Sequence, residues 1–366
     1  MDFYMPVRMF SGEETVKAHA EIFRTYGARC AVICGKHAAR ESGAFDDVDT
    51  VFREQGIECF LWDGVTENPP VSACREAGLF AFENGADYLL GIGGGSALDA
   101  AKAAAVFAAN PELTEDGFYQ KAWKNDPLPI LLIGTTSGTG SEVTKVSVLT
   151  DSKGKKHSIH DDRLYAAAAF GDARYTHSLS RRLTLTTGVD ILAHALESYL
   201  SRKADEITRA FSVRALRLAY KPIAAAAEGK ELKDEERRAL YEASILAGLA
   251  INTTGTCFPH NVGYFLTETR GVPHGFASAA FLPDLVELAA EEDADYLVRL
   301  FWQTDLSECL LKELIEPLLA EEKISMTEAE IDEALPRWEN NGSVKNTRAS
   351  VGTKEIREIL VRKFVR

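Results

Sequence analysis

Asp190 and His194 stand four apart in GVDILAHALESYLS, residues 188 to 201, a stretch that otherwise reads as an ordinary helix. Residues four apart are neighbours on one helix face, so a carboxylate and an imidazole are presented there together. Further along, PHNVGYFLTETRGVPHG supplies His260 and His274, each beside residues that fix the backbone: Pro259 before the first, Pro273 and Gly275 around the second. Three imidazoles and one carboxylate form a set suited to a borderline divalent ion such as Fe2+ or Zn2+. On spacing alone the metal reading has an equal rival. Thr187 followed three residues later by Asp190 has the form of a capping box with Asp in place of Glu, His194 suits a hydrogen-bonded core position, and the other two histidines suit turns.

A second kind of chemistry is offered by two glycine-rich turns. GIGGGSALDAAKAAA, residues 91 to 105, places Gly93, Gly94, Gly95 and Ser96 between a strand and an Ala-rich helix. Without side chains, such a turn lets a phosphate approach the backbone, and the helix start behind it supplies unpaired N–H groups. The spacing matches neither G-x-G-x-x-G nor a P-loop, and a tight turn that binds nothing is the alternative. GTTSGTGSEVT, residues 134 to 144, is another strand exit, and Thr135, Thr136, Thr139 and Ser141 offer hydroxyls to phosphate or ribose. Two polar loops at the carboxyl ends of consecutive strands mark where open α/β sheets bind nucleotides.

The elements that must carry these residues alternate at first. Helical stretches closed by Gly27, Gly56 and Gly85, the last with Ser72 as N-cap, separate the strands RCAVIC, IECFLW, ADYLLGIGGG and PLPILLIG. From about Leu179 long helical stretches take over and convincing strands are absent. The expected division is an α/β dinucleotide-binding domain over residues 1–177 and an all-α, metal-binding domain over 178–366. With 366 residues, 46% of them hydrophobic, two ordinary cores can be filled.

A net charge of −14 with no Lys/Arg-rich run excludes the electrostatic footprint of a nucleic-acid or anionic-membrane binder. No segment approaches the apolar length of a membrane span, and the opening MDFYMPVRMFSGEET lacks the plan of an export signal. Six scattered cysteines suggest neither a zinc ribbon nor a disulfide scaffold, so reduced thiols in a cytoplasmic protein are expected.

GGGSALDAAK, GTTSGTGSEVT, TTGVDILAHALESYLS and HNVGYFLTETRGVPHGFASAAFLP together resemble, in order and over nearly the whole chain, the signatures of the iron-containing alcohol dehydrogenase family. The resemblance implies the dehydroquinate synthase-like architecture, with the active site in the cleft between the two domains, and a homodimer. Asp190, His194, His260 and His274 fall on the family's four metal-ligand positions. The resemblance also implies that Gly94, Gly95 and Ser96 contact pyrophosphate, that Thr135, Thr136, Thr139 and Ser141 line the cofactor, and that Asn68 and Lys156 face it. The activity implied is hydride transfer between NAD(P)(H) and a small alcohol or aldehyde at a Lewis-acidic metal, Fe2+ in preference to Zn2+. At the end of RCAVIC, Gly35 is followed by Lys36, His37 and Arg40 where an NAD site usually has an acid, which favours NADP(H).

Departures from the family pattern are informative. Many relatives carry a histidine where this chain has Tyr264, so a proton relay through that position does not carry over unchanged. Asp-Pro is replaced by DAR at Asp172 and Asn-Pro-Arg by NTR at Asn346, which puts local backbone geometry in question. Phe258, Tyr264 and Phe276 are candidates for an apolar substrate pocket. The competing functions are a glycerol dehydrogenase-like enzyme, a dehydroquinate synthase-like lyase, for which no Arg/Lys cluster accompanies the ligands, and a non-catalytic nucleotide-binding relative.

Overall fold

The structure is a computed structural model and describes residues 3–365. It contains two compact units, Tyr4–Ser180 with Lys233–Tyr241, and Arg181–Leu232 with Glu242 onward.

The first unit is built on six parallel strands: β1 (Arg8–Ser11), β2 (Arg29–Cys34), β3 (Glu58–Trp62), β4 (Tyr88–Gly93), β5 (Ile130–Gly134) and β8 (Ala168–Gly171). A separate antiparallel hairpin pairs β6 (Val146–Thr150) with β7 (Lys156–His160). The parallel strands lie in the order β1-β8-β5-β4-β2-β3. β2, β4 and β5 are continuous apolar runs because helices cover both faces of the sheet. Those helices include α1 (Ala44–Gln55), α2 (Val71–Glu83) and α3 (Gly95–Ala109), and α3 is buried along most of its alanine-rich length. The chain leaves β2 for β3 on one side and returns to β4 on the other. That reversal is the switch point at which doubly wound sheets open a ligand crevice beyond the strand ends.

Three local expectations are corrected here. The stretch closed by Gly27 is two short helices, Thr15–Ala18 and Ala20–Thr25, because His19 leaves helical angles (φ −125°) and lays its ring 4.1 Å from that of Phe10. Pro70, extended and fixed in φ, is the N-cap of α2, which puts Ser72 inside the first turn. β1, β6, β7 and β8 were not foreseen; β1 and β8 have only four residues each, too few to set a pattern.

The second unit is helical, with one isolated bridge between Ser201 and Thr347 among its described residues. The elements that matter for function are α4 (Arg181–Tyr199), α5 (Glu206–Ala227), α6 (Asp234–Thr254), whose first turns belong to the other unit, α7 (Phe258–Arg270), α8 (His274–Ala279) and α9 (Glu308–Glu321). α4 is buried along nearly its whole length and packs on α5 and α8. Among the described residues no helix is long and apolar enough to cross a membrane.

Candidate metal and nucleotide sites

α4 presents Asp190 and His194 on one face. The capping-box reading of Thr187 and Asp190 is excluded: α4 starts at Arg181, and mid-helix Thr187 donates its hydroxyl to Leu183 O at 2.9 Å. α7 brings His260 on its third residue and α8 brings His274 on its first. Two close backbone approaches seat these helices. A Cβ on Gly275 would collide with the carbonyl oxygen of Thr186 on α4, and one on Gly263 would lie 2.9 Å from the Ala277 backbone on α8. Only glycine lets α8 settle against both neighbours.

The four side chains form one cluster. Asp190 Oδ1 lies 3.5 Å from His260 Nε2 and 3.8 Å from His274 Nε2, and Asp190 Oδ2 lies 4.0 Å from His194 Nδ1. One donor atom each from Asp190, His260 and His274 fall within 4.8 Å of one another. His194 lies parallel to His260 at 4.7 Å between ring centroids. Asp190, His194 and His260 are buried, whereas 25% of the His274 side chain is exposed, which makes it the open side of the cluster. Tyr264 stacks on His274 there, at 5.4 Å and 17°.

The charge balance fits a cation. Asp190 Oδ1 and His260 Nε2 are buried atoms without a hydrogen-bond partner, an expensive arrangement unless another group occupies the space between them. Burial would raise the Asp190 carboxyl, but His194, His274 and His260 outweigh it and hold the group well below the usual carboxylate range. Burial would lower His260, but the Glu197 and Asp190 carboxylates push it up to about 10. Both shifts favour positive charge at this spot, and the donor set suits Fe2+ or Zn2+.

Glu197 is not among the residues the sequence singles out. It is fully buried, accepts Cys257 N–H at 2.6 Å and contacts His260 Nδ1. Its signal was present, since it stands seven residues after Asp190 and three after His194, on the same stripe of α4. The NTR departure is also resolved. Thr347 Oγ1 accepts Phe258 N–H at 3.1 Å at the start of α7, a bond proline cannot make, while Asn346 ties Thr254 O and Thr256 O to Ser201. At the DAR departure Asp172 is buried and accepts from Glu14 N and Arg174 N. Phe258 is wholly buried, and Phe276 is buried and lines a small apolar gap with Ile315, Leu318 and Leu319 of α9, so of the three candidate pocket aromatics only Tyr264 borders the open side.

The two glycine-rich loops lie in the first unit. Gly93 takes φ +149°, Gly94 caps α3, and a Cβ on Gly95 would lie 2.9 Å from Thr139 Oγ1, so the glycines also let the two loops pack together. Thr135 N–H continues the ladder to Gly93 O at 2.9 Å. Asn68, in a left-handed conformation (φ +51°), donates its N–H to Ser96 Oγ and accepts from Thr150 Oγ1, and Thr150 pairs with Lys156 across the hairpin. Asn68, Ser96 and Lys156 thereby belong to one linked segment. Gly94, Gly95, Ser96, Thr136 and Thr139 are partly exposed. Ser141 differs: its single proton goes to Asp99 Oδ1 at 2.6 Å and its oxygen accepts from fully buried Lys102 at 2.7 Å. Its hydroxyl braces the loop and offers no donor to a ligand. Past Gly35, Lys36 and His37 are exposed, and the Arg40 guanidinium lies 4.5 Å over the Phe45 ring.

A doubly wound parallel sheet with paired glycine-rich loops and a helical unit with a buried Asp/His cluster are the features that the comparisons with known proteins address. Residues 6–173 match the model of the iron-containing alcohol dehydrogenases, and residues 184–320 match that of the family's C-terminal domain. The chain belongs to the iron-containing alcohol dehydrogenase family. It is 34% identical to a sulfoacetaldehyde reductase of Bilophila wadsworthia over 76% of this chain and 72% of that protein. It is 31% identical to alcohol dehydrogenase 4 of Schizosaccharomyces pombe over 76% of this chain, a match spanning 66% of the relative's length. The crystal structure of an iron-containing alcohol dehydrogenase from Thermotoga maritima superposes with a TM-score of 0.90 at 34% identity, covering 99% of this chain and 98% of that one.

Proposed function

We propose that the protein is a metal-dependent alcohol dehydrogenase or aldehyde reductase that prefers NADP(H) and acts on a small alcohol or carbonyl compound. The observation that carries this reading is the buried cluster in which Asp190, His260 and His274 point donor atoms at one another while Asp190 Oδ1 and His260 Nε2 lack hydrogen-bond partners. Asp190, His194, His260 and His274 would hold the ion, Fe2+ in preference to Zn2+. When bound, that ion supplies Lewis acidity toward an alcohol or carbonyl oxygen, and a nicotinamide coenzyme supplies or accepts the hydride.

The chain's own residues do the rest. The burial of three ligands excludes water from one side of the site, and the partly exposed His274 edge is where substrate would enter. Tyr264 keeps the His274 ring in place by stacking on it. The N–H groups at the start of α3, beside Gly94, Gly95 and Ser96, would bind pyrophosphate, with Thr135, Thr136, Thr139, Asn68 and Lys156 around the coenzyme. Lys36 and His37, exposed past Gly35, support the NADP(H) preference, because a 2′-phosphate is drawn to cations that an acid would replace. A cytoplasmic homodimer completes the reading and rests on family resemblance.

The test is NADPH and NADH oxidation with a panel of short aldehydes, using chelated protein reloaded with Fe2+, with Zn2+ or with no metal, alongside His274→Ala. Activity restored by metal and lost in the variant supports the reading. NADPH binding with no turnover under any metal refutes it.

A further inference from the structure

We infer that Glu197 is a positioning residue for metal binding, holding the His260 proton on Nδ1 and fixing the imidazole so that Nε2 faces the cluster. The inference rests on the proposed reading of the Asp190/His194/His260/His274 cluster as a metal site.

The hydrogen bonds around Glu197 leave little freedom. Its Oε2 accepts the backbone N–H of Cys257 at 2.6 Å, a donor that cannot rotate away or change character. Its Oε1 meets His260 Nδ1. With Oε2 already accepting from a backbone N–H, Oε1 is placed to accept from His260 Nδ1, and in an imidazole that ligates a metal this leaves the lone pair on Nε2. Nε2 is the nitrogen that faces Asp190 Oδ1 at 3.5 Å, inside the cluster. A partner on the far nitrogen of a ligating histidine fixes the tautomer and ring orientation in this way and raises ligand basicity.

Glu197→Gln separates this role from simple packing. The amide matches the carboxylate in shape but has one accepting oxygen. If that oxygen serves Cys257 N–H, the NH2 group confronts His260 Nδ1 and drives the proton to Nε2, where it blocks the donor atom. Binding of Zn2+ and Co2+ to the metal-free full-length protein, read by competition with a chromogenic chelator and by the visible absorption of bound Co2+, is compared with thermal unfolding of the metal-free form. Glu197→Gln should lose roughly 10- to 100-fold in metal affinity and unfold where the wild type does. Ser307→Ala, which removes the N-cap bond to Leu310 N at the start of α9, should lose stability and keep wild-type affinity. Glu197→Asp, with the charge retained, should recover part of what Gln loses, and it carries the comparison if the Gln variant does not fold. Wild-type affinity in Glu197→Gln, or equal losses in Gln and Asp, would overturn the inference. Wild-type protein binding no more tightly than His274→Ala would overturn the metal reading itself, a distinct result.

Discussion

Replacing Lys102 with Met is the sharpest test of how the nucleotide loop is held. Lys102 is 0% exposed, and its ammonium donates to Ser141 O at 2.8 Å, Ser141 Oγ at 2.7 Å, Thr144 Oγ1 at 3.2 Å and Val146 O at 2.9 Å, with Asp99 Oδ1 at 3.6 Å. Burial pulls its pKa down, opposed by Asp99 and Glu142. Methionine matches the stem but donates nothing, leaving two backbone carbonyls without this donor and Asp99 without its cation. Breaking a buried pair from one side costs ~3–5 kcal/mol, and that is the expected loss, read from the urea midpoint and slope. Because the freed segment includes Thr139 and Ser141, NADPH binding followed by coenzyme fluorescence should weaken about tenfold, equivalent to ~1.4 kcal/mol of reordering. Ser141→Ala should share part of the stability loss and weaken NADPH less than Lys102→Met does, since its hydroxyl is engaged by Asp99 and Lys102 and the remaining Lys102 bonds still hold the loop. Unchanged midpoint and unchanged NADPH affinity in Lys102→Met would refute the bracing argument. A Ser141→Ala protein of wild-type stability that binds NADPH poorly would return that hydroxyl to the coenzyme.

Three further outcomes follow from particular contacts. Gly275→Ala forces a methyl against the Thr186 carbonyl, so α8 must shift; a stability loss of ~1–3 kcal/mol and weaker Zn2+ binding should appear together in thermal and chelator-competition measurements. Thr347→Val removes the acceptor for Phe258 N–H and should cost ~1 kcal/mol, measured as a lowered thermal midpoint. A thiol-specific disulfide reagent at pH 8 should modify Cys309 first, because it is exposed, while burial pushes Cys34 up to about 12 and Cys59 up to about 11. Mass spectrometry locates the label, and fast modification of Cys34 or Cys59 would show that β2 and β3 open more readily than their packing implies.

Much of this architecture is legible in the sequence because its signals are local. Unbroken apolar runs such as RCAVIC and YLLGIG could only be strands covered on both faces, and glycines closed α1 and α2 near their observed ends. Asp190 and His194 were legible as a pair because helical spacing places them together. Their grouping with His260 and His274 had an equal rival on spacing and was favoured by family resemblance, since the meeting itself depends on how α8 approaches α4 through Gly275. Glu197 escaped notice because a Glu inside a helix reads as a solvated charge, and only burial against Cys257 and His260 reveals otherwise. The partners of Ser141 were not legible for the opposite reason: a hydroxyl in a glycine-rich loop looks free until Asp99 and Lys102, about forty positions away, are seen beside it. β1 and β8 pair across about 160 residues, which no window of sequence reports.

The ties made by Asn346 and Thr347 also bear on the order of folding. Asn346 is bonded to Ser201, 145 positions earlier, and Thr347 to Phe258, 89 positions earlier. Contacts of such separation form late, because the loop they close must first give up its freedom. The first turn of α7, and with it the aim of His260, is therefore expected to be completed late in folding. A chain stopped short of residue 346 would retain all four cluster residues and still present His260 on an unanchored turn. During refolding, metal capture should lag behind helix formation, so the ion would report the final closure of this unit and not its collapse.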